Sequence, residues 1–368
     1  MKILLLLLIL TSCSSINKYL GSTPMPIKSE RPYLSLTWIK NIDPKYDTGN
    51  LPIALNSPLI AKGFVFNGSN EKGMVAYELI TGRELWSKSE SGSFHAPPIF
   101  HSDMIIYGTT EGRIFARDYL SGKLIYSVDL GSSVESSPAI SKGRIVFHLR
   151  NHKIITLDVQ TGKILWAYKR SVPFATTIQR SSTPLIYKNK IYIGFADGYV
   201  AAMSLEDGMI LWEQKIVSGS KFVDVDATPM IFNQKLLIGA ISGPVVELDI
   251  KTGKILRTLN YNISRAPVIF KNGLLLGTVQ GDLVWLDQYF KEIKKVNLES
   301  NISSIVFWKG RLVTSSVNGT LNILDSSSLN LLHSKYLGHS SSAIFGTLSV
   351  GEGKLALLSA RNRLYVFQ

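Results

Sequence analysis

A unit of about forty residues repeats along most of this 368-residue chain and limits the folds that the chain can adopt. Each unit begins at a proline that precedes an apolar stretch, and successive prolines are 39, 41, 46, 45 and 38 residues apart. The prolines are Pro58, Pro97, Pro138, Pro184, Pro229 and Pro267. Four short strand patterns in each unit, without helical periodicity, indicate the blades of an all-β propeller.

A second repeated element is the turn between the last two strand patterns of a unit. Its aspartates are expected to accept hydrogen bonds from backbone amides of the turn, and its glycines are expected to adopt positive φ. The aspartates are Asp158, Asp249, Asp287 and Asp325, and the glycines are Gly82, Gly122, Gly162, Gly208 and Gly253. Four residues after their glycine stand Trp86, Tyr126, Trp166, Trp212 and Arg257. An aromatic residue at one fixed position predicts packing between neighbouring blades, with ligand stacking as the alternative.

The two ends of the repeat region indicate how the ring closes. Two weaker units follow the sixth, around residues 305–307 and 354–358, and the last ends at a third strand pattern, 364–368. A lone strand pattern, 35–39, precedes the first unit and resembles a fourth strand. We therefore predict eight four-stranded blades, with the N-terminal strand completing the last blade. Seven blades with an irregular flap are the alternative.

The first thirteen residues indicate export. Residues 3–10 form an apolar run that would span only about 12 Å as a helix, too short for a membrane span of about 30 Å and typical of a signal peptide. The next residues, ending at Cys13, resemble the bacterial lipobox. We predict a lipoprotein signal peptide at 1–12, lipidated Cys13 with a flexible tether at 13–32, and the propeller at 33–368. Ser14 favours the outer membrane, and the alternative is an ordinary secretion signal with an incidental cysteine.

Charge and motif content restrict the function classes. Lys and Arg number 40 and Asp and Glu 27, which gives a net charge of +13 and permits contact with anionic lipid or acidic partners. The export signal disfavours nucleic acid. A single cysteine excludes a disulfide framework and a cysteine-based zinc site. The sequence contains no phosphate-binding glycine loop, zinc-protease motif or nucleophile elbow. No enzymatic activity, cofactor or metal is therefore predicted.

The best-preserved repeat, residues 157–166, resembles the repeat of the quinoprotein (PQQ-type) β-propellers. Together with the lipobox and the short tether, it resembles the BamB family of outer-membrane assembly lipoproteins. The resemblance implies a non-catalytic scaffold on the periplasmic face of the outer membrane. Its implied partners are the periplasmic domains of BamA, other subunits of the assembly machinery and unfolded outer-membrane protein precursors.

The same resemblance implies partner-binding residues. The segment 222–229 is similar to an Asp-x-Asp-x-Thr-Pro segment of that family, which implies contacts by Phe222, Asp224, Val225 and Asp226. A second family contact has an apolar pair before an arginine. The nearest stretch here implies Ile178 and Arg180, although Gln179 stands where leucine is common.

Loop lengths indicate the same region without the resemblance. From the residue at the aromatic position to the next proline, two consecutive connections measure 18 and 17 residues, whereas others measure 10 to 12. We predict that the loops 171–182 and 215–228 emerge side by side and form a binding surface, with Phe174 as a further apolar anchor. Asp224 and Asp226 are expected to be exposed. The alternatives are solvated insertions and aspartates that only form turns.

Two other functions are compatible with the sequence. The first is a periplasmic PQQ-dependent quinoprotein enzyme. In that family, PQQ is commonly held against a ring formed by two adjacent cysteines with a calcium ion nearby, and this chain has only Cys13. The second is a propeller lipoprotein that binds cell-wall glycan or another envelope complex.

Overall fold

Eight four-stranded antiparallel sheets make up the fold. The computed structural model describes residues 33–46, 55–172, 181–219, 223–338 and 342–368. These ranges contain thirty-two strands and one short 3-10 helix, Pro44–Tyr46, and Ser35–Gln368 form one compact unit. The predicted eight-bladed all-β propeller is confirmed, and the seven-bladed alternative is wrong.

In the first seven blades, the strands follow chain order from the first to the fourth. The strands of the first four blades are β2 (Leu59–Ala61), β3 (Phe64–Ser69), β4 (Gly73–Glu78), β5 (Glu84–Lys88); β6 (Ile99–His101), β7 (Met104–Gly108), β8 (Arg113–Asp118), β9 (Leu124–Asp129); β10 (Ala139–Ser141), β11 (Arg144–His148), β12 (Lys153–Asp158), β13 (Ile164–Lys169); and β14 (Leu185–Tyr187), β15 (Lys190–Gly194), β16 (Tyr199–Ser204), β17 (Ile210–Lys215). Those of the last four are β18 (Met230–Phe232), β19 (Lys235–Ala240), β20 (Gly243–Leu248), β21 (Ile255–Leu259); β22 (Val268–Phe270), β23 (Gly273–Gly277), β24 (Asp282–Leu286), β25 (Glu292–Asn297); β26 (Ile302–Trp308), β27 (Arg311–Ser316), β28 (Thr320–Asp325), β29 (Leu331–Tyr336); and β30 (Ser349–Gly351), β31 (Lys354–Leu358), β32 (Arg363–Phe367) with β1 (Leu36–Asn41).

The ring closes as the sequence predicts. Strand β1 lies antiparallel to β32 as the fourth strand of the eighth blade, with Trp38 opposite Val366. The amide and carbonyl of Ser35 exchange hydrogen bonds with those of Gln368, at 3.2 and 2.7 Å. The two ends of the described structure are thereby joined in one sheet.

Every fourth strand carries a β-bulge at its second residue. In the third blade, Ile164 pairs with Leu157 and Trp166 with Thr156, so Leu165 is the extra residue. A bulge changes the direction of the side chains that follow it, and here it turns the third residue of the strand toward the next blade. The same bulge in β1 shows that this strand is a true fourth strand.

The third residue of the fourth strand connects each blade to the next. In seven of the eight blades, its side chain donates a hydrogen bond to a backbone carbonyl in the turn before the next blade's fourth strand. The pairs are Trp38 with Leu79 (2.9 Å), Trp86 with Tyr119 (3.0 Å), Tyr126 with Val159 (2.9 Å), Trp166 with Leu205 (3.0 Å), Trp212 with Ile250 (3.2 Å), Arg257 with Tyr289 (2.6 Å) and Lys294 with Ser328 (2.7 Å). The predicted inter-blade role of the aromatic residues is confirmed.

The turn glycine of the neighbouring blade makes room for this side chain. Gly162 has a φ of 73°, and a Cβ atom there would come within 2.5 Å of the Tyr126 ring. Gly208 has a φ of 77°, and a Cβ atom there would come within 2.6 Å of the Trp166 ring. Both the positive φ and the close approach of the ring therefore require glycine.

The predicted aspartate turns are also present. Asp158 accepts hydrogen bonds from the backbone amide and the hydroxyl of Thr161, each at 2.8 Å. These hydrogen bonds hold the pKa of Asp158 below its usual value. The turn is thereby fixed in the conformation that places Gly162 against Tyr126.

The hydrophobic core lies between neighbouring blades. One cluster joins Ile106 and Ile114 of the second blade to Phe147 and Ile155 of the third, all fully buried. Another joins the first and eighth blades across the closure. Each blade therefore buries its apolar faces against its two neighbours, and its stability depends on contact with them.

Replacing the turn glycine should therefore destabilise the ring by more than the cost of placing a non-glycine residue at positive φ. Gly143 has a φ of 71° and nothing within 4 Å of a Cβ atom, which makes it a matched control for Gly162. We expect Gly143→Ala to lower the free energy of unfolding by about 1 kcal/mol and Gly162→Ala by about 3 kcal/mol. Denaturant titration measures both values, and equal losses would show that the contact with Tyr126 does not contribute.

Removing the closing strand should open the ring. A chain of residues 33–368 contains all eight blades, and we expect it to unfold cooperatively. A chain of residues 43–368 lacks β1 and Trp38, and we expect its melting temperature to fall by more than 10 °C or its cooperative transition to disappear, because β32 loses its partner strand. Circular dichroism on heating compares the two. Similar melting curves would contradict the closure.

Candidate partner-binding site

The ring has two faces with different connections. On the turn face, the turn between the first two strands of a blade bonds to the turn between the last two. For example, the Val159 amide donates to the Gly143 carbonyl at 2.9 Å. On the loop face, the turns between second and third strands meet the connections between blades, as where the Thr110 amide donates to the Ser93 carbonyl at 2.9 Å. Both long connections, β13 to β14 and β17 to β18, belong to the loop face.

The described ends of the two long connections are joined to each other. The Ser182 hydroxyl donates to the Ala227 carbonyl at 3.0 Å, which links the end of the first connection to the end of the second. The Ser182 carbonyl accepts a hydrogen bond from His148 Nδ1 at 2.9 Å. The Val225 amide donates to the Phe195 carbonyl at 3.1 Å. The described ends of the two connections therefore lie side by side.

The expectation that Asp224 and Asp226 are exposed is wrong. Their residues are 1% and 8% exposed, and Val225 between them is 1% exposed. The chain passes directly over Gly194, where a Cβ atom would come within 2.3 Å of the Val225 carbonyl oxygen. The absence of a side chain at Gly194 allows this close approach and buries the segment.

An ion cluster that the sequence analysis missed holds the start of the first connection. Arg170 follows β13 and forms ion pairs with Asp197, at 2.7 Å, and with Glu213. Its guanidinium also lies over the rings of Phe195 and Tyr199, at 4.8 and 4.9 Å. Burial acts to lower the pKa of Arg170, but the hydrogen bonds and charges of Asp197 and Glu213 outweigh it and raise the pKa. No repeated motif marks Arg170, because its partners come from the next blade.

His148 is buried beneath the end of the same connection. Burial lowers its pKa to about 4, so the ring is neutral at neutral pH. Because the Ser182 carbonyl can only accept, Nδ1 carries the proton. Asp224 and His152 line the same small cavity, and burial also lowers the pKa of His152.

A larger cavity of about 260 Å³ lies where the connections converge on the loop face. Hydroxyl groups from most blades line it, among them Ser57, Ser137, Thr183, Thr228, Ser304 and Thr347. Three charged side chains, Glu135, Asp226 and Arg265, also contribute to its wall. Glu135 accepts from Arg150 at 3.2 Å and lies 3.8 Å from His95. Burial acts to raise the pKa of Glu135, but His95 and Arg150 outweigh it and hold the pKa below its usual value.

The cavity residues do not fit the quinone cofactor known from other propellers with this repeat. The cysteine pair is missing, since the only cysteine is Cys13, outside the described residues. In the part of the chain that the structure describes, no group of three or more His, Cys, Asp or Glu residues could hold a metal ion. Glu135, an acidic residue at this cavity, is already bonded to neighbouring basic side chains.

The remaining predicted residues lie outside the described ranges. These are the partner-binding residues Ile178, Arg180 and Phe222, the further anchor Phe174, and the lipidation site Cys13. Of the predicted contact residues, Asp224, Val225 and Asp226 are thus described, and all three are buried. Within the described ranges, no helix has the length and apolar character needed to cross a membrane.

Solved structures with the same fold include proteins of different functions. BamB from Moraxella catarrhalis superposes with a TM-score of 0.76 at 18% identity, covering 91% of this chain and 99% of that one. The computationally designed protein Ika8 gives 0.71 at 18% identity, covering 87% and 97%. A europium-containing methanol dehydrogenase gives 0.72 at 12% identity, covering 91% and 93%. At these identities, the similarity shows the fold alone.

Sequence comparison identifies the family. No curated protein matches the chain. The sequence model of the family "Outer membrane protein assembly factor BamB" (PQQ_2) matches residues 54–122. A second, overlapping match covers residues 71–292. These matches span most of the repeat region and more than half of the chain. The chain therefore belongs to the PQQ-repeat propeller family of the outer membrane protein assembly factor BamB.

Proposed function

We propose that this protein is a non-catalytic scaffold of the outer-membrane β-barrel assembly machinery. In this proposal, a lipid on Cys13 anchors it to the periplasmic face of the outer membrane. Its loop face docks on the periplasmic domains of BamA, close to other subunits of the machinery, and thereby assists the insertion of unfolded barrel precursors. Membership of the family named for this assembly factor is the observation that carries the proposal.

The two long connections are the proposed docking surface. Their described ends lie on the loop face and are linked by the hydrogen bond from Ser182 to Ala227. Binding surfaces are often built from elongated loops on a rigid scaffold. The ion cluster around Arg170 and the buried segment at Val225 supply that rigidity.

The buried residues and the residues outside the described ranges have different roles in this proposal. Asp224, Val225 and Asp226 act as positioning residues that fix the course of the second connection, because their side chains are buried. Ile178, Arg180 and Phe222 supply the direct contacts with BamA. Aromatic and arginine side chains are frequent energetic centres of protein interfaces.

Direct-contact variants should lose binding without losing stability. We expect Arg180→Glu and Phe222→Ser each to weaken binding to the purified periplasmic domains of BamA by at least about tenfold, because each removes an interface anchor. Arg361→Glu is the matched control, since Arg361 is an exposed arginine on the loop face of the eighth blade. Calorimetric titration measures the affinity and thermal unfolding checks the fold. Folded variants that bind normally would contradict the assignment.

The two aspartates should instead affect stability. A lysine in place of Asp224 or Asp226 places a new positive charge in a buried site, and we expect a loss of about 3 kcal/mol in the free energy of unfolding. Asp207→Lys is the control, because Asp207 is exposed on the turn face, and its effect should stay below about 1 kcal/mol. Denaturant titration distinguishes the two. A small effect at both buried positions would show that the segment opens readily.

A further inference from the structure

The bulge of the fourth strand exposes an aliphatic residue at one height around the ring. The bulged residues of the first seven blades are all leucine or isoleucine: Leu85, Ile125, Leu165, Leu211, Leu256, Ile293 and Leu332. Each is between 37% and 50% exposed. In the eighth blade, the bulged residue is Thr37. The bulge therefore does not need an aliphatic side chain, and the other seven expose apolar surface without a structural requirement.

These residues lie at the edge of the turn face. Each fourth strand begins at that face, so its second residue is about 7 Å or less along the strand from the turn. Four turn tips add exposed apolar side chains on the face itself: Ile80, Leu120, Met209 and Tyr289. The apolar rim, defined as these seven bulged residues and four turn-tip residues, follows the turn face around the ring because the blades repeat the same register.

The turn face also carries a regular set of lysines. The turn between the first two strands begins with lysine in five blades, at Lys62, Lys142, Lys188, Lys271 and Lys309, all with positive φ. Within the described part of the chain, none of these ammonium groups forms an ion pair with a carboxylate. Two of the acidic groups there already have partners: Asp158 accepts from the Thr161 hydroxyl of its own turn, and Glu206 forms an ion pair with Arg144 of the preceding blade.

The position of the chain entry agrees with this arrangement. Strand β1 is a fourth strand, so it runs from the turn face to the loop face, and the described chain enters the ring at Ser35 on the turn face. Thirty-four residues precede that point in the sequence. The point of entry therefore lies on the same face as the lysines and the apolar rim.

We propose that the turn face docks on the surface of an anionic phospholipid bilayer. Exposed aliphatic side chains interspersed with lysine are typical of proteins that lie on membrane interfaces. Each lysine near such a surface contributes about fivefold to the partition coefficient. The seven bulged residues share one level around the ring, and the turn tips and lysines lie on the same face, which matches a flat bilayer surface. The proposal does not depend on BamA binding, since it concerns the opposite face.

The test uses residues 33–368, which contain all eight blades, and sedimentation with two kinds of vesicle. One kind is phosphatidylcholine alone and the other is equal parts phosphatidylcholine and phosphatidylglycerol. We expect binding to the anionic vesicles, weakened by salt, and little binding to the neutral ones. Failure to bind the anionic vesicles, or equal binding to both kinds, would overturn the proposal.

Matched double variants assign the effect to the turn face. Lys123→Gln with Lys142→Gln removes two exposed turn-face charges, and we expect about a twenty-five-fold fall in the partition coefficient. Lys45→Gln with Arg361→Gln removes two exposed charges near the loop face and should leave it unchanged. Ile125→Thr with Leu165→Thr places at both bulges the threonine that the eighth blade has there. We expect this double variant to lower the binding that persists in high salt. An equal effect of the two charge pairs overturns the assignment to this face, and thermal unfolding verifies that each variant is folded.

Discussion

The structure depends on one contact that is repeated around the ring, in which a side-chain donor crosses from one blade to a backbone carbonyl of the next. The carbonyl belongs to a tight turn whose neighbouring groups are engaged within the turn, and a buried carbonyl without a donor is costly. A glycine in the same turn lets the donor side chain lie against the backbone. The contact therefore combines a hydrogen bond with close packing between successive blades.

The chemical identity of the donor is less important than its position. Trp166, Arg257 and Lys294 have little in common except an N–H group at the end of a long side chain, yet all three reach the equivalent carbonyl. The turn around Gly208 is packed by a ring, whereas the equivalent turn of the sixth blade has no glycine and receives a flexible cation instead. A change of residue at this position therefore makes the repeat harder to recognise in the sequence, while the hydrogen bond to the next blade is kept.

The constant position of this donor explains which parts of the fold can be predicted from the sequence. The blade count and the closing strand follow from the repeat, because proline, turn glycine and aromatic residue recur at nearly constant spacing. The role of Lys294 cannot be predicted from the repeat, because a lysine on an outer strand usually indicates a solvated side chain. The bulge cannot be found by a search for repeats either, because every repeat contains the extra residue and the spacing between repeats does not change.

The candidate site, too, can be predicted from the sequence only in part. Loop lengths alone identify the two long connections, because an insertion is visible against the repeat. The burial of Asp224 and Asp226 is not visible, since two carboxylates in a polar insertion have the pattern of a solvated loop. Their burial depends on Gly194, thirty residues earlier in the chain, and on its contact with Val225. Contacts between distant segments of this kind have no local sequence signal.

The closing strand also determines how the two faces can be used. Seven blades begin with their first strand, so their connections enter and leave on the loop face. The described chain begins instead with a fourth strand, which requires entry from the turn face. Closure by β1 therefore places the entry of the described chain on the face opposite to the connections between blades.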